Sequence, residues 1–363
     1  MLMAVIICVG MVACSTPTKT SSEPEEAPAE PAADTASDTA DEIQEVADVE
    51  KEGMKIGFCF VDLETPFWVA GYNAITDTLK AKGIEVVEYN ASEDPIKQFQ
   101  MCNDAIAEGI DGLIVIPQDG DTAVAIGQAC NDAGVPVGIF NRPPTNKDAK
   151  YLVAVADNEA ISQKAMEYMA EEAAKVVDAT GKKILPLVMV GDLGDPNAIF
   201  RKQGFDNVIA ANPDIFETPI EVQTNWDAKV AFDNLTSAMM ANPDVGLIFC
   251  GSDFLYPQIQ QVLEGIDKWA KIGEPNHVIL GAVDGDSTAG RLMDEGYVDA
   301  TAVQDLYYEA ELIMNSMIEA INAGETTPDK WIDDPGFALT QGNMDEMRMK
   351  MWGNIIRQKE GEI

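Results

Sequence analysis

The residues able to do chemistry in this chain are few in kind and scattered. His277 is the one histidine, with no cysteine or second imidazole at ligand spacing. An isolated imidazole argues against both a metal centre and a nucleophile–base relay. Of the six cysteines, Cys59 and Cys250 fall in strand-like runs and Cys102 and Cys130 in helical ones. None forms a CxxC pair, so these four are expected as free thiols buried like small hydrophobes. No GxGxxG or GxxxxGK[ST] loop occurs, which argues against a phosphate cradle. What remains is a scatter of carboxylates, amides, aromatics and a few cations at the ends of apolar runs. Asp195 and Asp284 suggest a carboxylate pair of the kind that hydrolyses glycosides, yet each also suits a helix cap or a turn. Arg201 lies one turn into a helix opening at Asp195-Pro196, where a cation opposes the helix dipole. It is either a solvated surface arginine or one held for a site. Trp226 precedes a helix at Asp227 and is either a hydrophobic staple or a flat wall. Asn141 and Arg142, before Pro143-Pro144, either shape a loop or make polar contacts.

The frame that must position these residues begins at Met54–Lys82. Lys55–Val61 reads as a strand buried on both faces. Thr65 offers an N-cap hydroxyl and Pro66 sits at the first helical position, followed by Trp68, Gly71, Ile75 and Leu79 at helical spacing. Phe67 and Trp68 are adjacent and cannot both face the core of one helix; Phe67 is expected as a wall and Trp68 as core. The loop Asp62–Pro66 then lies beyond the carboxyl end of a strand, where open parallel sheets bind ligands.

The same unit repeats. Strands are expected at 84–89, 112–116, 135–140 and 151–155, with helices at 94–108, 121–133 and 158–178. After Gly181 the alternation restarts, with strands at 184–190, 217–223, 245–250, 278–283 and 298–303. Helices intervene at 197–211, 227–241, 255–264, 288–295 and 305–323. This order means α/β architecture with two doubly wound parallel-sheet lobes. About 310 residues suit two cores better than one.

The front of the chain is different. Residues 1–13 are apolar and too short to span a bilayer, and Met11-Val12-Ala13-Cys14 resembles the lipobox of bacterial lipoproteins. Residues 14–53 are acidic and poor in large apolar groups, so a disordered, lipid-anchored linker is expected. The formal net charge of −38 argues against nucleic acid and against docking on anionic lipid, which leaves a covalent lipid on Cys14 as the membrane anchor.

Eight segments occur in order at strand ends and helix starts: TPFW (65–68), IPQDGDTA (116–123), VPVGIFNRPP (135–144), GDPNAIFRKQGF (194–205), NWDAK (225–229), SD (252–253), GAVDG (281–285) and TAVQD (301–305). Together they make the chain similar to the sugar-binding branch of the type I periplasmic binding proteins, the solute receptors of ABC importers, over Lys55–Ile363. Galactose/glucose receptors are the nearest type and ribose receptors the next.

The resemblance implies a three-crossing hinge near Asp157, Gln304-Asp305 and Asp333-Asp334. One lobe is then 54–157 plus 305–333 and the other 158–304 plus 334–363. It implies stacking walls at Phe67, Trp68 and Trp226, and hydroxyl contacts from Asn141, Arg142, Arg201, Asp284 and Gln304. Asp195 and Asn197 would add polar contacts or simply cap their helix. Ser252 stands where such receptors have Asn, and Thr65 replaces Asp or Asn, so the solute's identity stays open. Asp62, Glu64, Gln118 and Asp119 belong to the rim. Planar polar side chains suit vicinal hydroxyls and flat aromatics suit the C–H faces of a pyranose. The expected solute is a monosaccharide such as galactose or glucose, with a pentose, nucleoside or autoinducer as alternatives.

The expected partner is an ABC permease reading a closed clamp, the expected state a lipid-anchored monomer on the extracytoplasmic face. No catalysis, cofactor, metal or nucleic acid is expected, and Val177–Lys183 lacks the carboxylates of a calcium loop. A glycoside-processing enzyme is the remaining rival. A sugar-responsive regulator is disfavoured by the lipobox and by the lack of a basic helix-turn-helix. Met344–Arg357 is expected to pack on the second lobe.

Overall fold

The structure, a computed structural model, describes residues 46–363. Cys14, the expected leader and most of the linker lie outside the described residues.

Apolar runs flanked by capping residues become strands and helices that alternate through most of the chain. The order opens with β1 (Lys55–Phe60), α1 (Pro66–Ala81), β2 (Glu85–Asn90), α2 (Pro95–Ala107), β3 (Gly112–Val115), α3 (Gly120–Ala133), β4 (Val137–Phe140) and β5 (Leu152–Ala156). It continues with α4 (Asn158–Thr180), β6 (Leu185–Val190), α5 (Pro196–Ala211), β7 (Ile220–Gln223), α6 (Ala228–Ala241), β8 (Val245–Cys250), α7 (Tyr256–Gly265), β9 (Ile279–Asp284), α8 (Ser287–Glu295) and β10 (Ala300–Val303). The chain ends with α9 (Leu306–Ala323), β11 (Lys330–Asp334), β12 (Phe337–Thr340), α10 (Met344–Met347) and α11 (Trp352–Glu360). Thr65 caps α1 by accepting from the Trp68 amide, and Pro66 stands in the first turn. Asp94, Asp119, Asp157, Asp195, Asp227, Asp286 and Asp305 each cap a helix in the same way. Carboxylates at these positions satisfy orphan amides and complement the positive helix end.

Two six-stranded sheets result. The first has the order β11-β5-β4-β3-β1-β2 and is parallel throughout; the second has the order β12-β10-β9-β8-β6-β7, with only β12 antiparallel. Successive residues of one strand face opposite layers, as the pleat requires. Ile56 and Phe58 pack with Ile75, Leu79 and Ile313 on one face, while Cys59, Leu113 and Val115 pack with Cys102, Ile126 and Cys130 on the other. The second sheet is covered likewise, by α4 and α5 on one face and α6 and α7 on the other. The four cysteines are free and buried.

The chain passes between the sheets after β5, after β10 and after β11. One residue joins all three passages, through its side chain and its carbonyl. Asp334 accepts from the Asp305 amide at 2.6 Å and the Gly336 amide at 2.9 Å, and its carbonyl accepts from the Asp157 amide at 3.0 Å. The third crossing falls just after Asp334, because β11 runs through that residue in register with Ala156.

Two features depart from the composition-based reading. β11 and β12 were not expected, since each is short, the two are separated only by Pro335-Gly336, and both are edge strands in the order of their sheets. And 46–50, placed by composition in the linker, lies along α9. Asn315 Oδ1 accepts the Ala47 amide at 2.6 Å, Asn322 Oδ1 accepts the Glu50 amide at 3.1 Å, and Asn322 Nδ2 donates to the Asp48 carbonyl at 2.8 Å. Two asparagines seven residues apart share one helix face, and they grip backbone rather than side chains, which composition does not register. α11 packs on α8, with Arg357 Nη1 2.9 Å from Asp294 Oδ2.

Candidate functional site

The carboxyl ends of both sheets converge on one cavity of about 470 Å³. The loops after β1, β2, β3 and β4 line it from one lobe and those after β6, β7, β8 and β9 from the other. Phe67, Trp68, Asn141, Arg142, Asp195, Asn197, Arg201, Trp226, Ser252 and Asp284 all reach it, as do Asp62, Glu64, Thr65 and Gln118. Residues spread over more than 200 positions are thus brought together by topology alone.

Three contacts tie one wall to the other. Arg142 Nε lies 2.9 Å from Asp195 Oδ2, with both side chains over nine-tenths buried. Arg142 Nη1 also donates to the carbonyls of Pro117 at 3.1 Å and Gln118 at 2.5 Å. Asn197 Nδ2 donates to the Asn141 carbonyl at 3.0 Å, and the Gly120 amide to the Gly194 carbonyl at 3.2 Å. Asp195 therefore both caps α5, through Asn197's amide, and holds the opposite lobe. Asn158, not singled out by sequence, supports this seam by donating to Asn197 Oδ1 at 3.1 Å and accepting from Arg201 Nε at 2.7 Å.

Asp284 is the hub of the second wall. Its Oδ1 takes Arg201 Nη2 at 3.0 Å and Gln304 Nε2 at 2.6 Å, and its Oδ2 accepts from the Ser252 hydroxyl. Gln304 itself does not line the cavity. It is fully buried behind it, with Oε1 accepting from Asn141 Nδ2 at 3.0 Å, so it couples Asn141 to Asp284 rather than facing a solute. Its strand-end position resembles that of a contact residue, but both ends of its amide are bonded to neighbours. Trp352 was likewise missed as part of this site: its indole N–H donates to the Asp284 carbonyl at 2.8 Å and its ring meets Phe67 edge-on at 5.9 Å. Only its position in an apolar C-terminal helix was readable beforehand.

The aromatics form two walls. Phe67 is 8% exposed and belongs to the core cluster, edge-on to Trp68 at 5.0 Å, whereas the half-buried Trp68 carries the Arg142 guanidinium 5.5 Å from its ring centre. The expected division, Phe67 as wall and Trp68 as core, gives way to both lining the cavity, with Trp68 the more open. The α1 N-terminus places residues 67 and 68 beside the loop after β1, so the second of the pair also reaches the opening. Opposite, the Trp226 indole lies against Gly191, where a Cβ would fall 2.1 Å from the ring, and Arg201 sits 5.7 Å from its centre. Trp226 Nε1 donates to Asp195 Oδ2 at 3.3 Å.

Backbone strain gathers here. Of the seven non-glycine residues with positive φ among the described residues, Glu93, Asn141, Asn225, Trp226 and Asp284 line the cavity. Such conformations cost energy and persist where the surroundings enforce them, commonly at ligand sites. Electrostatics are also shifted. Burial, reinforced by Asp284, pushes Asp286 up to about 6. Burial and the neighbouring Asp286 and Asp284 raise Asp253, whose Oδ2 accepts the Gly285 and Asp286 amides at 2.7 Å. Behind the site, burial and the charge of Asp334 raise Glu309, which accepts from Asn141 Nδ2 at 3.2 Å. His277 is remote from the cavity and is bonded to Asp299 and the Ala270 carbonyl. Among the described residues no three His, Cys, Asp or Glu side chains are grouped to hold a metal ion, and no helix is long and apolar enough to cross a membrane.

A family profile described as "Periplasmic binding protein domain" matches residues 56–326. The chain belongs to that family. Its relatives are substrate-binding proteins of ABC transporters rather than enzymes, which sets aside the glycoside-processing alternative. Among relatives, the putative rhizopine-binding protein of Rhizobium meliloti is 25% identical over 299 residues, covering 81% of this chain and 93% of its own. The ribose import binding protein of Bacillus subtilis is 24% identical over 270 residues, covering 74% and 81%. Among solved structures, an ABC transporter solute binding protein of Bacillus halodurans with bound myo-inositol superposes with a TM-score of 0.70 at 23% identity, covering 83% of this chain and all of that one. The fold is that of a type I periplasmic binding protein.

Proposed function

We propose that this periplasmic binding protein is the solute receptor of an ABC importer. In this reading it captures a monosaccharide-sized polyol between its lobes and presents the closed form to a membrane permease. The observation that carries it is the cavity itself. Indoles on opposite lobes, Trp68 and Trp226, flank a belt of planar polar groups in about 470 Å³, within the range of about 300–1,000 Å³ common to small-molecule sites. Apolar C–H faces against indoles and hydroxyls against Asn141, Arg142, Arg201 and Asp284 account for each part of such a solute. No covalent chemistry is needed. Solute selects the closed arrangement by touching both lobes, and the hinge at Asp334 absorbs the motion.

The sequence favours a hexose such as galactose or glucose. The relatives named for ribose and rhizopine favour a wider choice, a pentose among them. Cys14 as the lipid anchor, an extracytoplasmic location and a monomeric state belong to the same proposal. Thermal unfolding of the chain against pentoses, hexoses, cyclitols, nucleosides and amino acids tests it. Millimolar solute at micromolar affinity raises stability by about 4 kcal/mol. A response confined to polyols supports the reading, and a response confined to amino acids or nucleosides overturns the polyol assignment.

A further inference from the structure

Glu309 is a buried acid that touches the solute site from behind. It stands in the first turn of α9, fully buried, and does not line the cavity. Its Oε2 accepts from Asn141 Nδ2 at 3.2 Å, while its Oε1 is shut off from solvent and has no partner among the described residues.

The bonds around Asn141 fix which way its amide points. The Asp284 carboxylate, paired with Arg201, accepts from Gln304, so Gln304 turns its nitrogen to Asp284 and its oxygen to Asn141. Asn141 must answer with its own nitrogen, whose two hydrogens go to Gln304 Oε1 and Glu309 Oε2. The Asn141 oxygen is left toward the other lobe, 3.4 Å from Asn197 Nδ2, as an acceptor in the cavity wall. Glu309 thus supplies one of two contacts that hold a left-handed residue, with φ of 66°, in this pose.

The groups facing Glu309 decide which form it takes. The strands packed on α9 from β3, β4 and β5 are apolar throughout, and α1 meets α9 at Gly71, beside Leu306. β11 brings the Asp334 carboxyl, the α9 cap brings Asp305, and α5 brings Arg201. That guanidinium is already shared among Asp284, Asn158 Oδ1 and the Gly251 carbonyl. An ionised Glu309 would keep its charge with one bare oxygen and one neutral donor, a cost the protonated acid avoids. Burial first, and the charge of Asp334 second, raise its carboxyl in keeping with this.

We propose that Glu309 is a positioning residue for the solute site: in the closed clamp it is a neutral acid that holds the Asn141 oxygen toward the solute, so that capture of solute takes up a proton. This rests on the solute-receptor reading and adds a regulation to it. Asn141 belongs to lobe one, and Gln304 and Asn197 meet it from the lobe-two side. Opening the clamp parts them, admits water to Glu309 and lets it ionise. Closure reverses each step.

Calorimetric titration with D-ribose, D-galactose and myo-inositol tests the inference. None of the three titrates between about pH 7 and pH 8.5, and Asp286 and Asp334, at about 6, are already largely ionised there. Affinity for the solute that responds should fall by up to about tenfold per pH unit, and the heat should differ between phosphate and Tris buffers by the uptake of up to about one proton. Glu309→Gln keeps the acceptor and cannot ionise. It should bind as the parent does at the acid end and lose both the slope and the buffer dependence. Glu309→Leu, which removes the acceptor, should weaken binding about tenfold at every pH. A slope in Glu309→Gln as steep as the parent's would place the titration elsewhere and overturn the assignment. Parent affinity independent of pH and buffer would overturn the inference while leaving the receptor reading intact. Silence from all three, with an amino acid or nucleoside bound instead, would overturn the polyol reading and this inference with it.

Discussion

Arg142 and Asp195 stand on different lobes, 53 positions apart in sequence, and meet at 2.9 Å with their side chains 8% and 6% exposed. The same carboxylate receives the Trp226 indole N–H, and the same guanidinium lies over Trp68. One ion pair thus sets the separation of the two aromatic walls.

Breaking that pair should open the clamp. Removal of one partner of a buried pair leaves the other uncompensated, at a cost of about 3–5 kcal/mol. Asp195→Ala should weaken solute binding by at least a hundredfold and enlarge the radius of gyration seen by small-angle scattering. An unchanged radius together with unchanged affinity would show that the pair does not hold the lobes.

The wall at Trp226 depends on a residue that has no side chain. An Ala at position 191 would place its Cβ 2.1 Å from the indole, so the ring has to move. Gly191→Ala should therefore cost nearly as much affinity as Trp226→Ala, about 2 kcal/mol or more, from the loss of one stacking face. It should also shift the tryptophan emission of the folded chain. Equal solute affinity in Gly191→Ala and the parent would remove Trp226 from the binding wall.

Acid should stabilise the hinge. Burial pushes Asp334 from the ordinary 3.8 up to about 6, and Asp286 likewise. A carboxyl whose folded pKa is raised contributes stability that is fully present below its unfolded pKa and lost as pH rises through the folded one. For each group that amounts to about 3 kcal/mol at most between about pH 4 and pH 7. Urea unfolding of Asp334→Asn and Asp286→Asn should show a flatter pH dependence over this window than the parent. A parent slope that persists in both variants would mean these groups ionise in the fold as they do in the unfolded chain.

Much of the frame was readable because it rests on local rules. Thr65-Pro66 opens α1 as a cap and first-turn proline must, and the apolar runs at 245–250 and 278–283 become β8 and β9 within a residue of expectation. Ten of the eleven expected site residues meet at one cavity because they sit at strand ends of a known topology. What was not readable depends on distant partners. Gln304 is withdrawn from the cavity by Asn141 and Asp284, and Asp334 gathers three crossings with no signal in its own neighbourhood. β11 and β12 are short edge strands defined by their pairing with β5 and β10. The grip of Asn315 and Asn322 on 46–50 acts through backbone, which carries no compositional mark.

The C-terminal helix should prove part of the binding site although it does not line the cavity. Asp284 holds φ at 112°, a conformation costly for a residue with a Cβ, and the Trp352 indole N–H fixes its carbonyl at 2.8 Å while Gly353 donates to the Gly285 carbonyl at 3.1 Å. Phe in place of Trp352 keeps an aromatic ring against Phe67 but removes the donor. The orphaned, buried carbonyl should lower stability by about 1–3 kcal/mol. If the bond also holds Asp284 in its strained geometry, Trp352→Phe should weaken solute binding about tenfold, more than its stability loss alone allows when titrated well below the unfolding transition. Unchanged affinity beside reduced stability would confine Trp352 to packing, and would leave Arg201, Gln304 and Ser252 sufficient to hold Asp284 in place.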